Sequence, residues 1–303
     1  MLLAGRVIQE QKNYYVVNTT RGDIRATLKG VLKKDRKRIC TGDLVDVEIT
    51  NNDTEEGLLD RVHERVTYLN RPPIANIEQV LVVCTLREPS LDLEALDRLL
   101  LCVAAYGLTA ILVFNKTDII GPDERPSLDG IITTYRGIGY RVLETSAERC
   151  SGLDDLRLQC KEKVSAFAGL SGVGKSALLS RLFPDREFRI GDVSGATGRG
   201  THTTTTVSLL TLPEGGYIAD TPGLAFIDLP LIPEEDVATY FPELERLIGA
   251  CRFNNCIHEN EPGCKVVELV EKGEIKALRV EHYLKIYHEM RERRRGYKEK
   301  AGK

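Results

Sequence analysis

Short runs rich in Val, Ile and Tyr, separated by polar turns, occupy the start of the chain: Gly5–Ile8, Tyr14–Asn18, Ile24–Leu28, Leu44–Ile49 and Gly57–Val62. Such runs predict strands, and five of them within roughly seventy residues suit a small closed barrel of the OB-fold type. Arg71-Pro72-Pro73 breaks the pattern and reads as a linker. From Ile77 to about Asp228 the pattern becomes continuous apolar runs at Val80–Cys84, Ala110–Phe114, Tyr140–Leu143, Ser165–Ala168 and Tyr217–Ala219. Helical patterns lie between several of them, for example Leu91–Ala105 and Leu153–Lys163. That alternation predicts a mostly parallel α/β sheet with helices on both faces. After Pro233 the chain reads as helical and polar, ending in a long helix over about Ile275–Tyr297. The expected organisation is multidomain: an all-β, OB-fold-like barrel over residues 1–70, an α/β domain over 71–230 and a mostly helical region over 231–303.

Composition adds exclusions. Of 303 residues 42% are hydrophobic and 29% charged, values of a soluble globular protein. No apolar run reaches the ~20 residues needed to cross a bilayer, so no membrane partner is expected. The opening MLLAGRVIQEQKNYYVV lacks a basic leader with a small-residue cleavage site and reads as structure. The net charge of −3 excludes a chain that is basic throughout, but two local basic patches stand out. Lys29, Lys33, Lys34, Arg36, Lys37 and Arg38 face Asp35 alone, and Lys285–Lys303 holds eight Lys or Arg against three Glu. Each is either a solvated surface or a track for a nucleic-acid backbone. Cysteines 40, 84, 102, 150 and 160 stand apart and read as small buried hydrophobes in a reducing compartment, hence a cytoplasmic location. Nothing suggests more than a monomer.

The chemistry sits in short motifs. Gly169, Leu170, Ser171, Gly172, Val173, Gly174, Lys175 and Ser176 fit G-x-x-x-x-G-K-[ST], with Ala177 opening a helix and an apolar run before the loop. Glycines let consecutive N–H groups surround a phosphate at a helix N-terminus. Lys175 would reach the β- and γ-phosphates and the Ser176 hydroxyl would join a Mg²⁺ shell. Asn115, Lys116, Thr117 and Asp118 spell N-K-x-D after an apolar run. An Asp carboxylate accepts from guanine N1–H and its 2-amino group, whereas adenine would leave it unpaired, a discrimination of about 10⁴-fold. Ser146 and Ala147 could offer a backbone N–H to guanine O6. Asp220-Thr221-Pro222-Gly223 follows another run; Asp220 would hold Mg²⁺ through water, and Gly223 would sense the γ-phosphate. Together these motifs define a site for GTP or GDP with Mg²⁺.

Their order is unusual, because the guanine motif precedes the phosphate loop. A circularly permuted chain can build the same sheet, and it places the switch segments just before the C-terminal region. The order resembles ribosome small-subunit-dependent GTPase A, the YjeQ-type family, over essentially the whole chain. That resemblance implies an OB-fold, a permuted GTPase domain and a zinc domain. It also implies a target in late assembly of the small ribosomal subunit and its rRNA, with hydrolysis stimulated by the subunit.

Between Gly198 and Thr206 a threonine should meet Mg²⁺ and the γ-phosphate; Thr204 is favoured, then Thr203, with Thr205 and Thr206 read as entry to a strand. Leu224 stands where Ras-like proteins carry a glutamine, so another group must orient the attacking water. His202 is the available candidate, and the resembled family places a histidine in this switch. Unassisted GTPases turn over at roughly 10⁻⁴–10⁻³ s⁻¹ and a partner can raise this ~10⁵-fold. Cys251, Cys256, His258 and Cys264 form a Cys₃His set suited to tetrahedral zinc, with disulfides as the alternative. The family has the same spacing, which implies one structural zinc. Two other classes of function stay open: a GTP-gated RNA-binding module with negligible hydrolysis, and a zinc-stabilised RNA-binding protein that uses nucleotide only to fold.

Overall fold

The computed structural model describes residues 1–30, 32, 38–51, 55–70, 72–186, 207–220 and 229–301. Five strands open the chain: β1 (Leu2–Glu10), β2 (Tyr15–Thr19), β3 (Gly22–Leu28), β4 (Leu44–Asn51) and β5 (Glu56–Val62). They pair in the order β1-β2-β3-β5-β4, and β4 returns to β1, so the sheet closes. Only β3 and β5 run parallel. Closure leaves no free edge, and the inward positions Val7, Val17, Ile24, Ala26, Val45, Val47 and Leu59, with Ile39, make a separate apolar core. The expected barrel is therefore present.

The residues on either side of Arg71 form regular structure where the sequence reads as a linker. β6 (Tyr68–Asn70) and β7 (Pro73–Ala75) form an antiparallel hairpin that buries Leu69 and Ile74. Polar bonds fasten it to the barrel. Arg65 makes two bonds to the fully buried Asp43 at 2.7 and 2.9 Å, and Asn76 Nδ2 donates to the Gly42 carbonyl at 3.0 Å.

The second unit contains β8 (Gln79–Cys84), β9 (Thr109–Phe114), β10 (Arg141–Glu144), β11 (Val164–Ala168), β12 (Ser208–Thr211) and β13 (Tyr217–Asp220). Their spatial order is β10-β9-β8-β11-β13-β12, parallel except for β12. β8 and β11 are buried at every position, which explains their unbroken apolar runs. Alternate residues face opposite layers. Val80, Val82, Leu112, Phe114 and Ala166 join one core, while Leu81, Val83, Ile111, Val113 and Phe167 join the other. Helices α1 (Leu93–Ala105) and α2 (Arg125–Ile138) supply the first core; α3 (Leu153–Cys160) and α4 (Lys175–Leu182) supply the second. Asp92 caps α1 by accepting from Ala95 N at 3.0 Å. α3 stops at Cys160, short of the expected Lys163, because the chain must turn there into β11.

The C-terminal region has a 3₁₀ segment (Glu234–Tyr240), α5 (Pro242–Glu245), α6 (Lys265–Glu271) and α7 (Ala277–Ala301). It shares the core of the first layer, to which Val237, Phe241, Tyr283, Ile286 and Met290 contribute. A buried polar cluster locks it there. Asp97 of α1 receives Arg279, His282 Nδ1 (2.6 Å) and Tyr135 Oη (2.5 Å), while Arg279 also makes two bonds to Glu243 at 2.6 and 3.0 Å. Asp97, Arg279 and His282 are each no more than 4% exposed.

One expectation needs correction. Cys150 is exposed, since it lies in a tight turn at φ 54° rather than in a core; the other four isolated cysteines are buried. The basic patches are partly neutralised. Lys29 pairs with Glu48 and Asp60, Lys285 with Glu94 and Glu281, and Arg294 with Glu234 and Glu235. Lys33, Lys34, Arg36 and Lys37 lie outside the described residues. No helix among the described residues is long and apolar enough to cross a membrane.

Asp97→Ala would remove the acceptor shared by Arg279, His282 and Tyr135 and leave Arg279 with Glu243 alone; breaking a buried ionic cluster in this way typically costs about 3–5 kcal/mol. Urea denaturation should show a loss of that size, and a change under about 1 kcal/mol would contradict the buried-pair account.

Candidate functional site

The loops after β9, β10 and β11 meet at the C-terminal ends of parallel strands, beside the end of β13, the place where open α/β sheets bind ligands. The loop after β11 carries Gly169–Ser176 and enters α4 at Lys175. Gly169 and Gly174 have φ of +139° and +96°, a region that disfavours side chains. Space forbids them too: a Cβ on Gly169 would stand 2.2 Å from the Val83 carbonyl, and one on Gly174 would stand 2.3 Å from Asn115 Nδ2. Both glycines thus let neighbouring strands and loops approach the phosphate-loop backbone closely. Lys175 Nζ donates to the carbonyls of Gly169 and Leu170 at 2.7 and 2.8 Å, folded over its own loop. Burial holds its pKa below the ordinary lysine value, a strain that a neighbouring phosphate would relieve.

Asn115 follows directly on β9 and ties three loops together. Its Nδ2 donates to the Val173 carbonyl at 2.9 Å, and its Oδ1 accepts from Thr145 Oγ1 at 3.1 Å and from Ala147 N at 3.3 Å. Lys116 takes φ 60° and reaches the Glu88 carbonyl with Nζ at 2.6 Å, while its Cε stands 4.0 Å from the place a Gly174 Cβ would occupy. Thr117 Oγ1 donates to the Thr145 carbonyl at 3.1 Å, and Ser146 Oγ donates to the Asp118 carboxylate. The guanine motif, Ser146-Ala147 and the phosphate loop are therefore one hydrogen-bonded unit. Asp220 sits at the end of β13, half-buried; burial raises its pKa, which Arg186 partly opposes. A divalent cation would reverse that penalty.

Thr145 and Arg181 belong to this unit, although sequence reasoning passed them over. Thr145 is fully buried beneath Asn115, and Arg181 Nε donates to the Ala147 carbonyl at 2.8 Å. Thr145 directly precedes Ser146-Ala147, so its position was the available signal. His202, Thr203, Thr204, Gly223 and Leu224 lie outside the described residues.

A second constellation lies between α5 and α6. The ligand atoms of Cys251, Cys256, His258 and Cys264 all fall within 4.8 Å of one another. His258 Nδ1 is 3.6, 3.5 and 3.5 Å from the sulfurs of Cys251, Cys256 and Cys264, and two of those sulfurs stand 3.9 Å apart. A tetrahedral zinc with bonds of about 2.3 Å to sulfur and about 2.0 Å to nitrogen requires edges of about 3.8 and about 3.5 Å. The set fits zinc, and no disulfide forms in it. Burial lowers the His258 pKa and so favours the neutral, metal-binding imidazole. Glu261, also unforeseen, shapes the loop by accepting from the N–H groups of Ile257, Glu259 and Asn260 at 2.6, 2.9 and 3.2 Å.

Strand order and loop set together define a circularly permuted P-loop GTPase with an N-terminal barrel and a C-terminal Cys₃His region. The sequence model of the RsgA GTPase family matches residues 62–230. The chain belongs to that family. It is 41% identical over 295 residues to the small ribosomal subunit biogenesis GTPase RsgA of Moorella thermoacetica, covering 97% of this chain and all of the relative. The namesake from Carboxydothermus hydrogenoformans is 39% identical over 289 residues, 95% of this chain and 98% of the relative. Among solved structures, YjeQ from Thermotoga maritima superposes with a TM-score of 0.82 at 33% identity, over 96% of this chain and 99% of its own. YloQ, a circularly permuted GTPase, gives 0.82 at 30% identity over 97% of this chain and 96% of its own.

Asn115→Ala should destabilise the protein, because it leaves a buried carbonyl at Val173 and a hydroxyl at Thr145 without their partner, at about 1–3 kcal/mol. Thermal unfolding of the nucleotide-free protein reads this directly; an unchanged midpoint would refute the tie.

Proposed function

We propose that this chain is a GTPase that acts in late maturation of the small ribosomal subunit, binds the subunit and its rRNA, and is stimulated by it. The observation that carries the nucleotide part is the single unit built by Asn115 from the phosphate, guanine and Ser146-Ala147 loops. The ribosomal part is supported by relatives of matching length named small ribosomal subunit biogenesis GTPases. The working division is a barrel over 1–70, a GTPase domain over 71–230 and a zinc-binding region over 231–303, acting as a cytoplasmic monomer.

In this reading Gly169–Ala177 cradle the phosphates, and Lys175 releases its two loop carbonyls to take up a phosphate charge. Asp118 accepts from the guanine edge, held in place by Ser146, while Asn115, Lys116, Thr117 and Ala147 shape the base pocket. Ser176, Thr204 and Asp220 serve magnesium, directly or through water, and Gly223 senses the γ-phosphate. Magnesium supplies neutralisation of charge on the transferring phosphoryl group. His202 orients the attacking water, since Leu224 has no hydrogen-bonding group. One zinc ion, held by Cys251, Cys256, His258 and Cys264, staples the C-terminal loop structurally.

GTP hydrolysis should rise more than about tenfold on adding small subunits, with neither large subunits nor ATP giving the effect. His202→Ala should abolish that rise while GTP still binds; equal, slow rates in every mixture would exclude the ribosomal partner. Asp118→Ala should weaken guanine nucleotides by at least about 100-fold and leave ATP binding unchanged. Purified protein should carry one zinc per chain by elemental analysis, and Cys256→Ser should lose it.

A further inference from the structure

The barrel is not hung on a tether. It docks on the edge of the GTPase sheet at the strands that lead to Asp220. Gln9 of β1 pairs with Ser208 of β12, and Ser208 pairs with Asp220 of β13, so three residues lie in one register across both domains. Thr41, which is 3% exposed, donates its hydroxyl to the Val207 carbonyl at 2.9 Å, one residue before Ser208. The Thr41 carbonyl in turn accepts from Ala75 N at 2.9 Å, so one residue joins barrel, hairpin and sheet. At the other end of β13, Tyr217 Oη donates to Asn18 Oδ1 of β2 at 2.8 Å, and Arg6 of β1 lies 5.4 Å over the Tyr217 ring. Both ends of the four-residue strand that carries Asp220 are therefore referenced to the barrel.

We propose that barrel docking positions Asp220, which makes Thr41 and Tyr217 positioning residues for the magnesium end of the nucleotide site. This rests on the reading of Asp220 as a magnesium residue. The physical basis is that groups behind a metal residue set its orientation, and their loss typically weakens the metal by about 10–100-fold. Here the link is backbone register rather than a side-chain contact. A barrel gripped by an anionic partner would pass its displacement through Ser208 to Asp220, without any rearrangement of the guanine loops.

The test is Mg²⁺ titration of fluorescent-GDP binding to the full chain. Thr41→Val keeps the shape and removes the hydroxyl; Tyr217→Phe removes only the oxygen. Each should raise the Mg²⁺ concentration for half-maximal tightening, the double variant by about tenfold. Magnesium-free GDP affinity should stay within about twofold, since the phosphate and guanine loops are untouched. Thr41→Ser, which restores the hydroxyl, should return the wild-type curve. Asp220→Asn sets the scale of a full effect. Superimposable Mg²⁺ curves for the wild type and the double variant would overturn the proposal, as would a Thr41→Ser shift equal to that of Thr41→Val. An Asp220→Asn curve identical to wild type would remove both the magnesium role and the coupling. None of these curves uses ribosomes, so failure of subunit stimulation is a separate result.

Discussion

The nucleotide face of this protein depends on one buried amide. Parallel strands set where each loop begins, but a strand end alone does not fix where the loop goes next. Asn115 does so by bonding the loop that follows β11 and the loop that follows β10 from the end of β9. The price of that contact is a glycine at 174, because any side chain there would occupy the position of the amide nitrogen. Asn115 and Gly174 are a matched pair: the amide leaves no room for a side chain at 174.

Permutation decides what the rest of the chain can feel. β12 and β13, the strands nearest the candidate magnesium residue, abut the barrel, whereas the chain beyond Leu229 runs directly into the C-terminal region. That region shares an apolar core with α1 and α2 and is fixed by charges that leave water only as partners. Its Cys₃His loop brings four ligand atoms within 4.8 Å of one another, a set that fits zinc. Both outer regions reach the same apolar layer, the barrel through Ile8 and Val16; the barrel adds strand register and single hydrogen bonds, the C-terminal region a buried ionic cluster.

The basic surface is a lesson in the same terms. Charge counted along the tail left open a solvated surface or a nucleic-acid track, and in the fold Lys285 and Arg294 face glutamates on other elements. Composition reports how many charges there are, and folding reports which of them are already answered.

The sequence by itself determined the local chemistry: the phosphate loop, N-K-x-D, the cysteine set, and the barrel and sheet strands placed within three residues of their observed bounds. Such features are written in contiguous residues, because a glycine turn, a helix entry or a buried strand needs only its neighbours. Tertiary structure alone decided the hairpin beside Pro72, the exposure of Cys150, and the ionic cluster that joins Asp97 to Arg279, 182 residues away. It also decided the bond between Asn115 and Val173, 58 residues apart. A lone aspartate on a helix or an asparagine in a loop has no local signature of its distant partner. That pairing exists only once the sheet order has brought the two segments together.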